Sequence, residues 1–217
     1  MTVEVRTFVD HDRGALRALF GRAGEGSPLA SLWGHEESEA AIYLTPYMDL
    51  EPGSLLLAFV DGEMVGYLTG CLDSRRFPTE GERFDRAVRE HRLFLRPKPM
   101  LFFARATVDA ARGKVRNQLP ATDFDDPRWP AHLHINLVPH ARGTGAAPAL
   151  MGRWFEQLAA AGSPGCHLQT LVENTRAVRF FTRMGFTEYG PAPVVPGIRH
   201  DGRRLHQRTM VRPADGT

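Results

Sequence analysis

The most constraining stretch of this chain is Arg142-Gly143-Thr144-Gly145-Ala146-Ala147. It follows an alternating run, residues 132–138, that ends at Pro139. It precedes a run in which Ala147, Leu150, Met151, Trp154, Phe155 and Leu158 recur at i, i+3, i+4, i+7, i+8 and i+11, until Gly162 and Pro164. The first run reads as a strand and the second as one apolar helix face. A glycine-rich loop thus hands a strand over to a helix start, where unpaired peptide N–H groups and the positive end of the helix dipole converge. Glycine lets the backbone approach phosphate oxygens without a Cβ in the way, and Arg142 adds a charge-assisted contact. A tight turn that simply needs glycine is the plain alternative. Two other phosphate motifs fail. A P-loop needs Gly-Lys-Ser/Thr, and a dinucleotide fingerprint wants Gly or Ala where Pro148 stands, with an acidic residue nearer than Glu173.

The remaining chain mixes the two periods. Residues 3–9 read as a strand, and Asp12 stands where it would cap a helix with Leu16, Leu19 and Phe20 on one stripe. A helix over 37–47 meets Pro46, which predicts a kink or early stop near Leu44. Residues 55–60 and 64–72 around Asp61-Gly62 predict a hairpin, and Asp201-Gly202 predicts another leading into 205–211. Thr79 and Glu82 form a capping-box pattern, after which Phe84, Val88, His91 and Leu95 keep helical spacing up to Pro97. Residues 98–130 break every period, so an irregular segment is expected within an insert of about 75–130. Beyond the glycine loop, 167–172 reads as a strand, Asn174 caps a helix through Met184 with Gly185 past its end, and 186–189 resumes a strand. One domain over 1–213 with a tail at 214–217 is the expected organisation, since 217 residues suffice for one α/β core.

Apolar residues are 42% and charged residues 24%, which excludes disordered and collagen-like chains. The longest apolar run, residues 55–60, is too short for a bilayer, and the charged start Met1-Thr2-Val3-Glu4-Val5-Arg6 lacks the apolar run of a signal peptide. A cytoplasmic location without a membrane partner is expected. Cys71 and Cys166 read as free thiols. Arginine supplies 25 of the 27 basic residues, a bias that fits a GC-rich genome. The excess of basic residues between Arg75 and Arg116 suits a solvated helix surface or a phosphorylated ligand. No nucleic-acid partner is expected, because zinc-finger, homeodomain and aromatic-platform patterns are missing.

Two stretches carry a family resemblance. Val138-Pro139-His140-Ala141-Arg142-Gly143-Thr144-Gly145-Ala146-Ala147 resembles motif A of the GCN5-related N-acetyltransferase (GNAT) superfamily, Arg/Gln-x-x-Gly-x-Gly/Ala after a strand. Asn174-Thr175-Arg176-Ala177-Val178-Arg179-Phe180-Phe181-Thr182-Arg183-Met184-Gly185-Phe186 resembles its motif B. Residues 41–52 and 129–137 are similar to bacterial and fungal acetyltransferases related to the acetyltransferase-like domain of O-GlcNAcase. The resemblance implies an α/β (α+β) fold, a mixed and mostly antiparallel sheet splayed between strands 132–138 and 167–172. Helices would cover both faces and acetyl-CoA would lie in the split. Its pyrophosphate would rest on Gly143, Thr144, Gly145, Ala146 and Ala147 beside Arg142. Backbone groups of Leu137 and Val138 would pair with the pantetheine arm and polarise the thioester carbonyl. Asn174, Phe181 and Arg183 would complete the cofactor site, Asn174 serving equally well as a plain N-cap. Tyr43, Tyr47, Asp126, Trp129 and Tyr189 lie in segments that flank the acceptor entrance in this superfamily, and core packing explains the aromatics as readily. A homodimer is a further implication.

Direct acetyl transfer needs a neutral amine, and an alkyl amine of pKa about 10.4 is neutral in only about one molecule in 10³ at pH 7. A general base therefore matters. His132, His134 and Asn136 share one strand face by period two. His132 falls where some members of the superfamily place a catalytic carboxylate, and Asn136 where closer relatives carry aspartate. The histidine pair suits base work, zinc binding or hydrogen bonding inside the core. Phe181 replaces the tyrosine that usually acts as general acid, and Pro148 offers no N–H, so weak activity is expected. The leading expectation is an acetyl-CoA-dependent N-acetyltransferase, without a metal, acting on a primary amine of a small molecule or peptide. A pseudo-acetyltransferase that binds acetyl-CoA without useful turnover is the alternative, and a nucleotide-dependent oxidoreductase a distant third.

Overall fold

The computed structural model describes residues 1–23 and 32–214. Its strands are β1 (Val3–Thr7), β2 (Leu55–Val60), β3 (Glu63–Cys71), β4 (Ala131–Leu137), β5 (Gly165–Leu171), β6 (Thr187–Tyr189), β7 (Val194–His200) and β8 (Arg203–Pro213). Its helices are α1 (Arg13–Ala23), α2 (Glu36–Tyr43), α3 (Thr45–Leu50), α4 (Glu80–Glu90), α5 (Pro97–Val115), α6 (Ala146–Ala160) and α7 (Thr175–Arg183). The sheet order is β1-β2-β3-β4-β5-β8-β6, with β7 on β8. Every pair is antiparallel except β4 and β5. Those two meet only at Ala131–Cys166 and His132–His167, whereas β5 and β8 pair from Gly165 to Leu171. The mixed sheet is therefore splayed at its centre, as the resemblance implies.

Alternation along the strands divides the core between two faces. Trp154 of α6 lies against Gly70 on one face, while Tyr47 of α3 meets His132 on the other. Leu16, Leu19, Leu56, Leu68, Leu133, Leu150 and Trp154 are among the side chains closed off from solvent. Both hairpins turn where expected, with positive φ at Asp61, Gly62, Asp201 and Gly202. Both cysteines are free, and burial pushes their thiols up to about 12. Among the described residues, no helix is long and apolar enough to cross a membrane.

Several expectations need correction. Residues 97–115 form a helix rather than irregular chain: Pro97 and Pro99 sit in its first turn, where missing N–H groups go unmissed, and Gly113 does not break it. Asp109 anchors this helix on β7, accepting from the Gly197 N–H at 3.0 Å and from Arg199 at 2.7 Å. The Thr79–Glu82 box does start α4, with Glu82 N to Thr79 Oγ1 at 3.2 Å and Thr79 N to Glu82 Oε2 at 2.8 Å. That helix ends at Glu90, because Arg92 turns left-handed with φ 49°, well before Pro97. The expected helix over 37–47 is two, broken at Leu44, and Pro46 opens the second. Asp12 immediately precedes α1, yet its carboxylate grips Arg6 at 2.7 Å and takes the Val9 N–H at 3.0 Å. Of the expected tail, Ala214 donates to the Pro164 carbonyl at 3.0 Å, and 215–217 lie outside the described residues.

Candidate functional site

The glycine loop sits at the open end of the split. Gly143 and Gly145 have φ of 82° and 91°, a region closed to most side chains, and α6 begins directly after them. No atom lies within 4 Å of the place a Cβ on Gly143 would occupy. Of the five residues expected to present N–H groups, two are taken: Thr144 donates to Ala141 O at 3.4 Å and Ala146 to Thr144 Oγ1 at 3.3 Å. The N–H groups of Gly143, Gly145 and Ala147 donate to no other group among the described residues. Arg142 is exposed beside them. The loop thus presents peptide hydrogens at a helix N-terminus, the arrangement that receives a phosphate.

The β4 edge separates two residues that the sequence treats alike. Val138 donates to Val65 O at 2.9 Å and accepts from Ala141 N at 3.1 Å, so its backbone is not available to a pantetheine arm. In an antiparallel pair the bonding direction alternates, so the N–H and C=O of Leu137 and Ile135 point away from β3 and into the split. Asn174 caps α7 through Oδ1, which accepts from Ala177 N at 3.2 Å. Phe181 is 7% exposed and packs against Phe180 and Phe186, while Arg183 is exposed in the last turn of α7.

His132, His134 and Asn136 do share one face, but their surroundings differ. The Ser74 hydroxyl has one proton, which it gives to Pro130 O at 2.7 Å, so at 2.6 Å it accepts from His132 Nδ1–H. Nε2 of His132 then accepts from the Tyr47 hydroxyl at 2.8 Å. Both ring nitrogens are committed, and burial, with His134, His167 and Arg83 adding to it, holds His132 well below the usual imidazole value. His134 makes no hydrogen bond with the described residues; burial, then Arg83 and His167, pushes it down to about 4. Opposite it on β3 stands Thr69, whose hydroxyl is buried without a partner among the described residues. Asn136 Nδ2 donates to Tyr67 Oη at 3.2 Å.

None of the five expected acceptor residues lines the cleft of about 190 Å³ bounded by Phe77, Glu80, Arg83, Phe124, His134 and His167; they pack behind that lining in two groups. On one side, Tyr43 and Tyr47 pack edge-on to His134, and Tyr43 donates to Glu80 Oε1 at 2.8 Å. Burial raises Glu80 above the usual carboxylate range. On the other side, Arg128 clasps Asp126 at 2.7 Å and donates to Tyr189 Oη at 2.8 Å, its guanidinium 4.3 Å over the Trp129 ring. That clasp holds Asp126 down to about 2. Phe124, which lines the cleft, packs on Trp129, Tyr189 and His167. Sequence reasoning missed Glu80, Arg83, Arg128 and His167. Glu80 reads as an ordinary first-turn acid. His167 gains its place from β5 pairing with β4, and its Nδ1–H donates to Trp129 O at 2.8 Å, leaving a lone pair on Nε2.

Solved structures of the same fold include SsHAT, 22% identical with a TM-score of 0.60 and 99% of both chains covered. The yncA protein of Salmonella typhimurium, solved with its cofactor acetyl-CoA, is 14% identical with a TM-score of 0.60, covering 99% of this chain and 95% of that one. A ribosomal-protein-alanine N-acetyltransferase of Brucella melitensis is 17% identical with a TM-score of 0.57, covering 97% of this chain and 99% of that one. The match to the acetyltransferase (GNAT) family spans residues 22–186, taking in the split, the glycine loop and the histidine face, and the chain belongs to that family.

Proposed function

We propose that this protein transfers the acetyl group of acetyl-CoA directly to a primary amine on a small molecule or peptide. The observation that carries this reading is the open β4 edge running from three N–H groups to a neutral histidine, none of which has a hydrogen-bond partner among the described residues. Gly143, Gly145 and Ala147, with Arg142 beside them, would hold the pyrophosphate, and the backbone of Leu137 and Ile135 the pantetheine arm. Acetyl-CoA supplies an activated acetyl thioester. His134 takes the amine's proton on a ring nitrogen; with its pKa near 4 it is unprotonated at neutral pH, though a weak base. That proton becomes more acidic as the amine nitrogen bonds to the acetyl carbon. His132 positions this face, and Asn136 lines it. Glu80 and Asp123 place carboxylates in the cleft where a protonated amine would dock before losing its first proton to solvent and attacking as the neutral form, the second proton being the one His134 takes. The segments 41–52 and 129–137 support a relation to the O-GlcNAcase-like subgroup, and a cytoplasmic homodimer belongs to the same reading.

One observation favours a second reading: Phe181 is walled into the core and offers no acid to the departing thiol. Such a thiol, with a pKa of about 8.5, leaves as thiolate unaided, so slow turnover survives the loss. Thermal unfolding with acetyl-CoA at a hundred times Kd should show roughly 2.7 kcal/mol of stabilisation. No stabilisation sinks both readings. Stabilisation without CoA release across a panel of amines and peptides leaves the binding module.

A further inference from the structure

Helices α2 and α4 run antiparallel, packed through Trp33, Ile42, Ala87 and Leu93. At the cleft end they are fastened by Tyr43 to Glu80 at 2.8 Å and by Arg83 to the Ile42 carbonyl at 2.5 Å. At the far end, His35 precedes α2, Glu37 lies in its first turn and His91 closes α4. One ligand atom from each of these three lies within 4.8 Å of the other two, and the imidazole rings are 5.3 Å apart.

We infer that His35, Glu37 and His91 form a divalent-cation site, of the type that takes zinc with water completing the shell. Two imidazoles and a carboxylate are a nitrogen-rich donor set that suits zinc over magnesium or calcium. A tetrahedral shell needs ligand atoms about 3.4 Å apart, so the donors must close by up to about 1.4 Å. Exposed Glu37 has room to swing, and the two histidines cap the adjoining ends of helices already held together by their own core. The start of α2 does not depend on the His35 ring, because the Ser38 N–H that reaches Nδ1 at 3.3 Å also reaches the His35 carbonyl at 3.0 Å. Arg96 opposes a cation here: its Nε donates to the His91 carbonyl at 3.3 Å. The site is separate from the acetyl-transfer cleft and does not rest on that reading.

The test is a titration of tag-free, chelator-stripped protein with zinc by calorimetry, and with cobalt(II) followed by its visible absorption. We expect one equivalent in this site, lost or weakened at least tenfold in His91→Asn and in Glu37→Gln. His35→Asn keeps a good helix cap and should lose the same equivalent. Circular dichroism confirms that each variant is folded, and Arg96→Gln should bind several-fold tighter. Absence of binding in the unaltered protein, or an undiminished equivalent in folded His91→Asn, overturns the site.

Discussion

The glycine loop and the surroundings of the cleft are made from different material. The loop works through peptide hydrogens, which any sequence possesses, and needs only glycine to expose them. The surroundings of the cleft work through side chains brought from far apart: Tyr43 with Glu80, Tyr47 with His132, Arg128 with Tyr189. A backbone-built surface fits a group common to every reaction of its kind, such as a diphosphate. A side-chain-built surface can be rewritten for each acceptor without disturbing the other. Chemistry and cofactor binding should therefore fail separately.

The sharpest division lies between neighbouring histidines. Replacing His134 with Ala should lower kcat by about 10²- to 10⁴-fold while leaving acetyl-CoA affinity unchanged. The corresponding change at His132 should chiefly destabilise the fold, since it strands the Tyr47 hydroxyl and loosens Ser74, at about 1–3 kcal/mol for a buried group left unpaired. Steady-state rates and urea midpoints on both variants decide this; a full rate in His134→Ala would move the base elsewhere, His167 being next. On the loop side, Gly143→Asp adopts the left-handed φ at a small cost in stability and sets a carboxylate against the phosphates, so acetyl-CoA should bind about 30-fold more weakly, roughly 2 kcal/mol, with melting lowered only slightly. Calorimetry that finds equal affinity would take the loop out of the site.

Acid should expose the same contrast in stability. His132, His134 and His167 are all held below the usual imidazole value, so unfolding takes up protons once the pH drops below about 6.5. Stability should be level above that pH and fall toward pH 4, by about 1.4 kcal/mol per pH unit for each histidine still neutral in the fold. Urea denaturation at pH 7.5, 6.0 and 5.0 would measure the slope, and His134→Gln should reduce it by one proton.

Local pattern was enough for what is built locally. The hairpin turns, the Thr79 and Asn174 caps, the glycine loop and the face of α6 each rest on residues within one or two turns of each other, and the structure has them where expected. Residues 97–115 escaped because prolines read as breakers when they stood in a first turn. His132 and His134 look interchangeable in sequence; what separates them is Ser74 and Tyr47, 58 and 85 residues away. Val138 and Leu137 likewise differ only in which neighbour their amides face, a property of strand register.

Gly70 leaves no room between β3 and the indole of Trp154, and Ser54 O stands 2.9 Å from where its Cβ would be. Trp154 rides on the helix that begins directly after the glycine loop and carries Ala147, so the seat of that indole sets where the amides proposed to hold the phosphates aim. A methyl group at position 70 would lever the whole rod outward. Random screens for coenzyme-blind mutants should therefore return hits in the middle of a strand that no ligand ever touches.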